Sequence, residues 1–180
     1  KELEKSHQTF FDSFLNAMII YKDLLSNDEM CSDSFDVVEI DDVVLEVATK
    51  MIQKTEGGEE IAGDEANDEV DENTVTVNNL VDAHRLMETS FGKKDFTIWV
   101  KGYMKALKDK MEETNPDRVR PFMKAASGIV KKILGQFDEY QFFTGESMDP
   151  NGMVGLMFYK EDGITPYFWF FKDGLEKEKV

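Results

Sequence analysis

The side chains best suited to chemistry in this 180-residue chain are carboxylates. Glu29 lies in a polar turn after an apolar run, with Asp28 beside it, and Glu146 follows the aromatic segment "FFTGE". A pair of carboxylates is the residue type that general acid–base catalysis uses. Nothing in the sequence orients Glu29 and Glu146 toward each other, and His7 and His84 stand far apart. We therefore expect a protein that is not an enzyme.

The other routes to catalysis have weaker support in the sequence. Cys31 is the single cysteine, which excludes an internal disulfide and a cysteine-built zinc site. It has no basic neighbour in the sequence to lower its pKa, so it is a poor nucleophile. The segment "GGEE" lacks the lysine and the following helix of a phosphate-binding loop.

The acidic turn "DLLSNDEMCSD" does not have the spacing of a calcium loop. An EF-hand places oxygen ligands at D-x-D-x-D-G intervals and ends in glutamate. Because that pattern and its glycine are missing, a local high-affinity calcium site is excluded. Ligands gathered from distant segments and loose attraction of divalent ions by the net charge of −16 both remain open.

The charge is unevenly distributed along the chain. The segment from Lys93 to Lys132 carries eleven basic and five acidic side chains, a net +6 within a chain of −16. Lys101, Lys105 and Lys108 are spaced by four and three, which predicts one solvent-facing stripe on a helix. The stripe could bind an acidic partner, be a solvated face, or dock the chain's own acidic segment. The overall charge argues against direct nucleic-acid binding.

The pattern of apolar residues predicts an α+β fold. Strands are expected at 18–25, in "DVVEI" and "VVLEVATKM", at the alternation after residue 73, and in the last quarter, where Asp162–Gly163 predicts a hairpin. The order of strands, two helices and strands predicts helices at one side of a mostly antiparallel sheet or barrel.

The middle of the chain predicts a helical hairpin over about 90–137. Apolar residues including Trp99 and Tyr103 recur at helical spacing after Ser90, the expected N-cap, and are interpreted as core. Asn115–Pro116 ends the first helix and begins the second. Residues 56–72 are acidic and lack aromatic residues, so we expect a mobile loop there.

The residues from Met18 to Val180 resemble the translationally controlled tumour protein family. The resemblance rests on "MIIYKDLLSNDEMCSDS", "KTEGGEEIAGDEANDE", "PDRVRPFMKAA" and most of all the long C-terminal run "FDEYQFFTGESMDPNGMVGLMFYKEDGITPYFWFFKDGLEKEK". Residues 1–17 lie outside it and are interpreted as an N-terminal extension or leader, so 18–180 is expected to form one domain. Val180 stands where relatives often have a cysteine.

The resemblance implies a β-tent core with a projecting two-helix hairpin and a flexible acidic loop. It also implies a multifunctional regulatory protein associated with calcium, tubulin and microtubules, a translation elongation factor, growth control and an anti-apoptotic role. The alternative is a nucleotide-exchange or release factor for a small GTPase such as Rheb. Some members act outside the cell as a histamine-releasing factor.

The resemblance also assigns roles to individual residues. Glu29 matches the residue assigned to GTPase contact, with Asp28 and Glu146 as further candidates. Asp64 and Gln141 lie at places matching a weak calcium site. The apolar segments are too short for a membrane span and the first residues make a poor secretory signal. We expect a cytoplasmic monomer that requires no cofactor, binding calcium weakly at most.

Overall fold

The computed structural model describes residues 18–55 and 74–180. The predicted leader, residues 1–17, and the predicted mobile loop, residues 56–72 with Asp64, lie outside the described residues. The described part is α+β, as the sequence predicts, with helices and antiparallel sheets in the predicted order.

Strand pairing is antiparallel throughout the described ranges, and the strands form three sheets. The strands are β1 (Ile19–Asp23), β2 (Glu29–Ser32), β3 (Asp36–Ile40), β4 (Val44–Ala48), β5 (Met51–Thr55), β6 (Thr74–Asn78), β7 (Met87–Thr89), β8 (Gln141–Thr144), β9 (Val154–Tyr159), β10 (Pro166–Phe171) and β11 (Leu175–Lys179). Their spatial orders are β11-β1-β2, β3-β4-β10-β9-β8-β7 and β5-β6.

Two connections with left-handed backbone residues close hairpins of the six-stranded sheet. Residues 41–43 join β3 to β4, and Asp41 and Asp42 have φ of 51° and 56°, the left-handed conformation of the central residues of a type I′ turn. Gly163, with φ of 63°, lies in the turn between β9 and β10. The Asp162–Gly163 hairpin is therefore confirmed.

The segment "VVLEVATKM", residues 43–51, is not one strand, as the sequence suggested, but contains the whole of β4 and the first residue of β5. Between them, Thr49 donates through its backbone N–H and its hydroxyl to the carbonyl of Pro166, at 3.0 and 2.8 Å. The backbone N–H of Lys50 donates to the side chain of Asn79 at 2.9 Å. Thr49 thus bonds to the first residue of β10, and Lys50 bonds to the residue after β6, so the chain passes here from the six-stranded sheet to the β5–β6 ribbon.

A short helix, α1 (Asn79–His84), follows β6 and was not predicted. Asn78 caps it, because its side-chain oxygen accepts hydrogen bonds from the backbone N–H groups of Leu80 at 2.9 Å and Val81 at 3.3 Å. Arg85 ends the helix with φ of 52°.

The predicted hairpin is present as α2 (Lys93–Thr114) and α3 (Pro116–Gly135). Pro116 occupies the first turn of α3, as expected, since its missing N–H has no helical partner there. The N-cap of α2 is Gly92 and not Ser90; the Gly92 carbonyl accepts the backbone N–H of Phe96 at 2.9 Å. None of the helices in the described ranges is long and apolar enough to cross a membrane.

One core joins the hairpin to the sheets. Its fully buried side chains include Phe96 and Leu107 of α2, Phe122 of α3, and Phe168 and Phe170 of β10. A polar contact also joins α3 to the segment between β10 and β11, because Arg118 donates to both carboxylate oxygens of Asp173 at 2.7 and 2.8 Å. Apolar burial therefore fixes the hairpin against the sheet and sets which of its faces reach solvent.

Candidate functional site

The turn after β1 is built around a buried carboxylate, that of Asp23, which is 1% exposed. It accepts hydrogen bonds from the backbone N–H of Leu25 at 3.2 Å, from the N–H and hydroxyl of Ser26 at 3.1 and 2.7 Å, and from the N–H of Met153 at 2.9 Å. These four donors compensate for burying the charge. Asp23 therefore holds the turn that leads to Asp28.

Asp28 crosslinks this turn to the segment that follows β8. Its carboxylate accepts hydrogen bonds from the Ser147 hydroxyl at 2.6 Å and the Ser147 backbone N–H at 3.3 Å. A Cβ at Gly145 would lie only 2.3 Å from an Asp28 oxygen. Glycine at 145 is therefore what lets the two segments approach.

Glu29 and Glu146 lie on the same surface, which we call the acidic edge (Asp28, Glu29 and Glu146). Arg85 donates to Glu146 at 2.9 Å, and this ion pair together with the charge of Glu29 raises the pKa of Arg85. Glu29 is exposed at the first position of β2. Burial lowers the pKa of His84, and the Glu29 charge opposes that shift.

The structure thus brings the three predicted acidic residues together. The Glu146 side chain is 59% exposed and pairs with Arg85, so it faces solvent and not the core. Asp23 was missed as the residue that positions them. Its buried position depends on Met153, 130 residues away, and no local pattern reveals such a contact.

The structure gives no support for a nucleophile or a metal cluster in the described part. Cys31 is fully buried, and burial raises the pKa of its thiol to about 12. Among residues 18–55 and 74–180, no group of three or more His, Cys, Asp or Glu residues could hold a metal ion. Gln141 is exposed at the start of β8, whereas its predicted calcium partner, Asp64, lies outside these ranges.

Lys101, Lys105 and Lys108 are exposed along α2 and together form what we call the lysine stripe. Lys105 is 79% exposed and lies 3.5 Å from the Asp109 carboxylate; Lys108 lies 3.4 Å from that of Glu112. All three lysines line a shallow groove of about 460 Å³ between α2 and α3. Its other lining residues are Val100, Met104, Met123, Ala126, Ser127, Val130 and Lys131.

The described part is thus an α+β domain in which a long helical hairpin packs on antiparallel sheets and two surfaces of opposite charge reach solvent. The sequence model described as translationally controlled tumour protein matches residues 18–176. The chain belongs to the translationally controlled tumour protein family.

Individual relatives match this chain in sequence over nearly their whole length. The homologue from Schizosaccharomyces pombe is 51% identical over 167 residues, covering 90% of this chain and 99% of the relative. The human protein is 48% identical over 171 residues, covering 90% and 99%.

Two solved structures have the same fold. The structure from Schizosaccharomyces pombe has a TM-score of 0.79 at 50% identity and covers 90% of this chain and 99% of its own. The NMR structure from Caenorhabditis elegans has a TM-score of 0.69 at 32% identity and covers 90% and 98%.

Proposed function

We propose that this protein is a cytoplasmic, non-enzymatic regulatory protein that associates with acidic partners, foremost tubulin, through the lysine stripe. The observation that carries the proposal is the exposure of Lys101, Lys105 and Lys108 on one side of α2. Tubulin tails are acidic, so the attraction is electrostatic and weakens with salt. The family's association with microtubules points to the same partner.

The ion pairs within α2 do not oppose this proposal. Lys105–Asp109 and Lys108–Glu112 are exposed pairs of neighbouring helical turns. Such surface pairs contribute little to stability and are screened by salt. An acidic partner can therefore displace them at small cost, and Met104 and Val130 offer apolar contact in the adjoining groove.

Microtubule pelleting tests the lysine stripe. The triple variant Lys101→Glu, Lys105→Glu and Lys108→Glu should lose at least about tenfold in affinity, the size expected when several favourable charge contacts become repulsive. The matched control reverses three other exposed helix lysines, Lys93, Lys94 and Lys124, with the same change in net charge. Equal losses in both variants, or binding of the wild type that does not weaken with salt, would refute a specific role for the stripe.

The second candidate function is nucleotide exchange or release on a small GTPase, with the acidic edge in contact. It is supported by the exposure of Glu29 on a strand whose preceding turn is held by Asp23 and Asp28. A rigidly mounted carboxylate can compete for the magnesium and phosphate-binding groups of a GTPase. Release of labelled GDP from Rheb should accelerate with wild-type protein and not with Glu29→Val. Glu176→Val, another exposed strand glutamate, is the control, and identical rates with no protein, wild type and Glu29→Val would eliminate this function.

We also propose that the protein binds calcium weakly and interacts with a translation elongation factor. It would act as a monomer. Of the two candidate calcium ligands, Gln141 lies within the described residues, and its side-chain amide oxygen suits a hard cation. In an NMR titration, Gln141→Ala should reduce calcium-induced shifts around β8. Equal shifts with magnesium at the same concentration would reduce the effect to general charge attraction.

A further inference from the structure

A cavity of about 630 Å³ opens beside α2. Its walls come from one face of α2, from β7 and the segment after it, and from the segment after β8. The lining residues are Glu88, Thr89, Phe91, Asp95, Ile98, Trp99, Gly102, Tyr103, Ala106, Thr144, Met148, Asp149, Pro150, Asn151 and Val154. None of the lysine stripe is among them, so α2 presents a second surface of different chemistry. The volume of the cavity lies within the range typical of ligand pockets.

Aromatic rings form one wall of this cavity. Trp99 and Tyr103 stack with their ring centroids 5.0 Å apart and 15° between their planes. Phe91 lies 6.0 Å from Trp99 at 45°, so the wall is angled and not flat. The face of an aromatic ring is the negative end of its quadrupole and attracts cations, with tryptophan the strongest.

The charged side chains that line the cavity are all acidic. Glu88, Asp95 and Asp149 line it, and lysine, arginine and histidine are missing from the lining. Within the part of the chain that the structure describes, no ion pair joins these three carboxylates to a basic side chain. Aromatic faces and carboxylates without an ion-pair partner in the described ranges together favour a cation with a flat, polarisable surface.

The rim of the cavity is apolar and exposed. Ile98 is 63% and Met148 59% exposed. Met148 adopts a φ of 54°, rare for this residue type, and its N–H donates to the Gly145 carbonyl at 3.1 Å. A small cation inside the cavity would leave both rim residues in water, whereas a chain segment that carries the cation would cover them.

We propose that this cavity binds an arginine side chain from an apolar segment of a partner protein. The guanidinium would stack on Trp99 and pair with the surrounding carboxylates, and its apolar neighbours would cover Ile98 and Met148. Arginine suits the site better than lysine because its planar group stacks on aromatic faces and donates several hydrogen bonds at once. This surface shares no lining residue with the lysine stripe or the acidic edge, and it selects a partner segment of positive charge.

Gly102 supplies the means to test this without disturbing the fold. It lies within α2, lines the cavity, and has no atom within 4 Å of an added Cβ. Gly128 of α3 has equally open surroundings but does not line the cavity. Gly102→Leu therefore fills the cavity, and Gly128→Leu is a matched control that adds the same side chain at another helical glycine.

The probe is the peptide acetyl-Ser-Leu-Arg-Leu-Ser-amide, titrated into the full chain and followed by ¹⁵N–¹H NMR. We expect shifts at the Trp99 indole and Gly102 amide, with binding at least about fivefold weaker when citrulline replaces arginine, because a charged contact is lost. Gly102→Leu should abolish these shifts, Asp95→Asn should weaken binding, and Gly128→Leu should bind as wild type.

Each other outcome overturns the proposal. No shifts at Trp99, equal affinity of the citrulline peptide, or unchanged binding to Gly102→Leu would show that the cavity does not recognise arginine. Ethylguanidinium is titrated in parallel as a free cation. If it binds as tightly as the peptide, the flanking apolar residues contribute nothing and the partner-protein occupant is wrong.

Discussion

Replacing the buried Asp23 by asparagine should destabilise the fold more than any other single isosteric change to a carboxylate described above. One carboxylate oxygen accepts three hydrogen bonds, from the N–H and hydroxyl of Ser26 and the N–H of Met153, and the other accepts the N–H of Leu25. In the better of its two orientations, the amide oxygen keeps the three bonds and its NH₂ faces the Leu25 N–H. One donor is then unsatisfied, and the remaining bonds become neutral.

The magnitude follows from these four bonds. Hydrogen bonds to a charged acceptor contribute about 1.5–3 kcal/mol each against about 0.5–1.5 for neutral ones, so neutralising three costs about 3 kcal/mol. The unsatisfied, partly buried N–H of Leu25 adds about 1 kcal/mol. We expect Asp23→Asn to lower the free energy of unfolding by about 3–4 kcal/mol.

Urea denaturation of the full chain measures this loss, with unchanged slope and a lower midpoint if both states keep their compactness. Asp149→Asn is the control, because Asp149 accepts one local bond, from the N–H of Asn151 at 2.8 Å in an exposed segment. Asp149→Asn should lower the free energy of unfolding by no more than about 1 kcal/mol. A loss below about 1 kcal/mol for Asp23→Asn would refute the role of Asp23 as the organiser of the turn.

Two further predictions concern the sheet and its connection to the hairpin. Hydrogen bonds from Lys172 and Arg118 lower the pKa of Asp42 to about 2. The associated stability is present above the ordinary pKa of 3.8 and is lost as pH falls through about 2. Arg118→Gln should raise that pKa in an NMR titration, and an unchanged value would contradict the assignment. Gly155→Ala should lower the free energy of unfolding by about 1–3 kcal/mol, because the new Cβ would lie 2.6 Å from a Phe170 ring carbon; a neutral result in urea would show that the ring can move.

The elements predicted correctly from sequence are those with local signals. The spacing of apolar residues in α2 reports which face is buried, and Pro116 marks the start of α3. The Asp162–Gly163 pair reports a hairpin because glycine tolerates the left-handed backbone. The six-residue helix α1 is too short for periodicity to be visible, although Asn78, its cap, was a usable signal.

The candidate sites depended on contacts that no local pattern carries. Asp23 stands at the end of a strand, where an acid is normally solvated, and only Met153 and the turn make it a buried acceptor. Trp99 and Tyr103 were correctly interpreted as packed residues, but one side of their stack also borders a cavity closed by the segment after β8. Apolar residues at helical spacing show that one face of a helix packs against the protein. They do not show whether that whole face is buried.

Arg85→Gln provides a further test, because it separates the function of the acidic edge from its stability. The Arg85–Glu146 pair is exposed on both sides, so its removal should leave the unfolding midpoint unchanged within measurement error. The same change removes the positive charge beside Glu29 and leaves Glu146 unpaired within the described part. If the edge contacts a cationic group of a GTPase, Arg85→Gln should strengthen that association, most clearly at low salt. A weaker association would instead mean that Arg85 itself contacts the partner, and the acidic residues would then serve to position it.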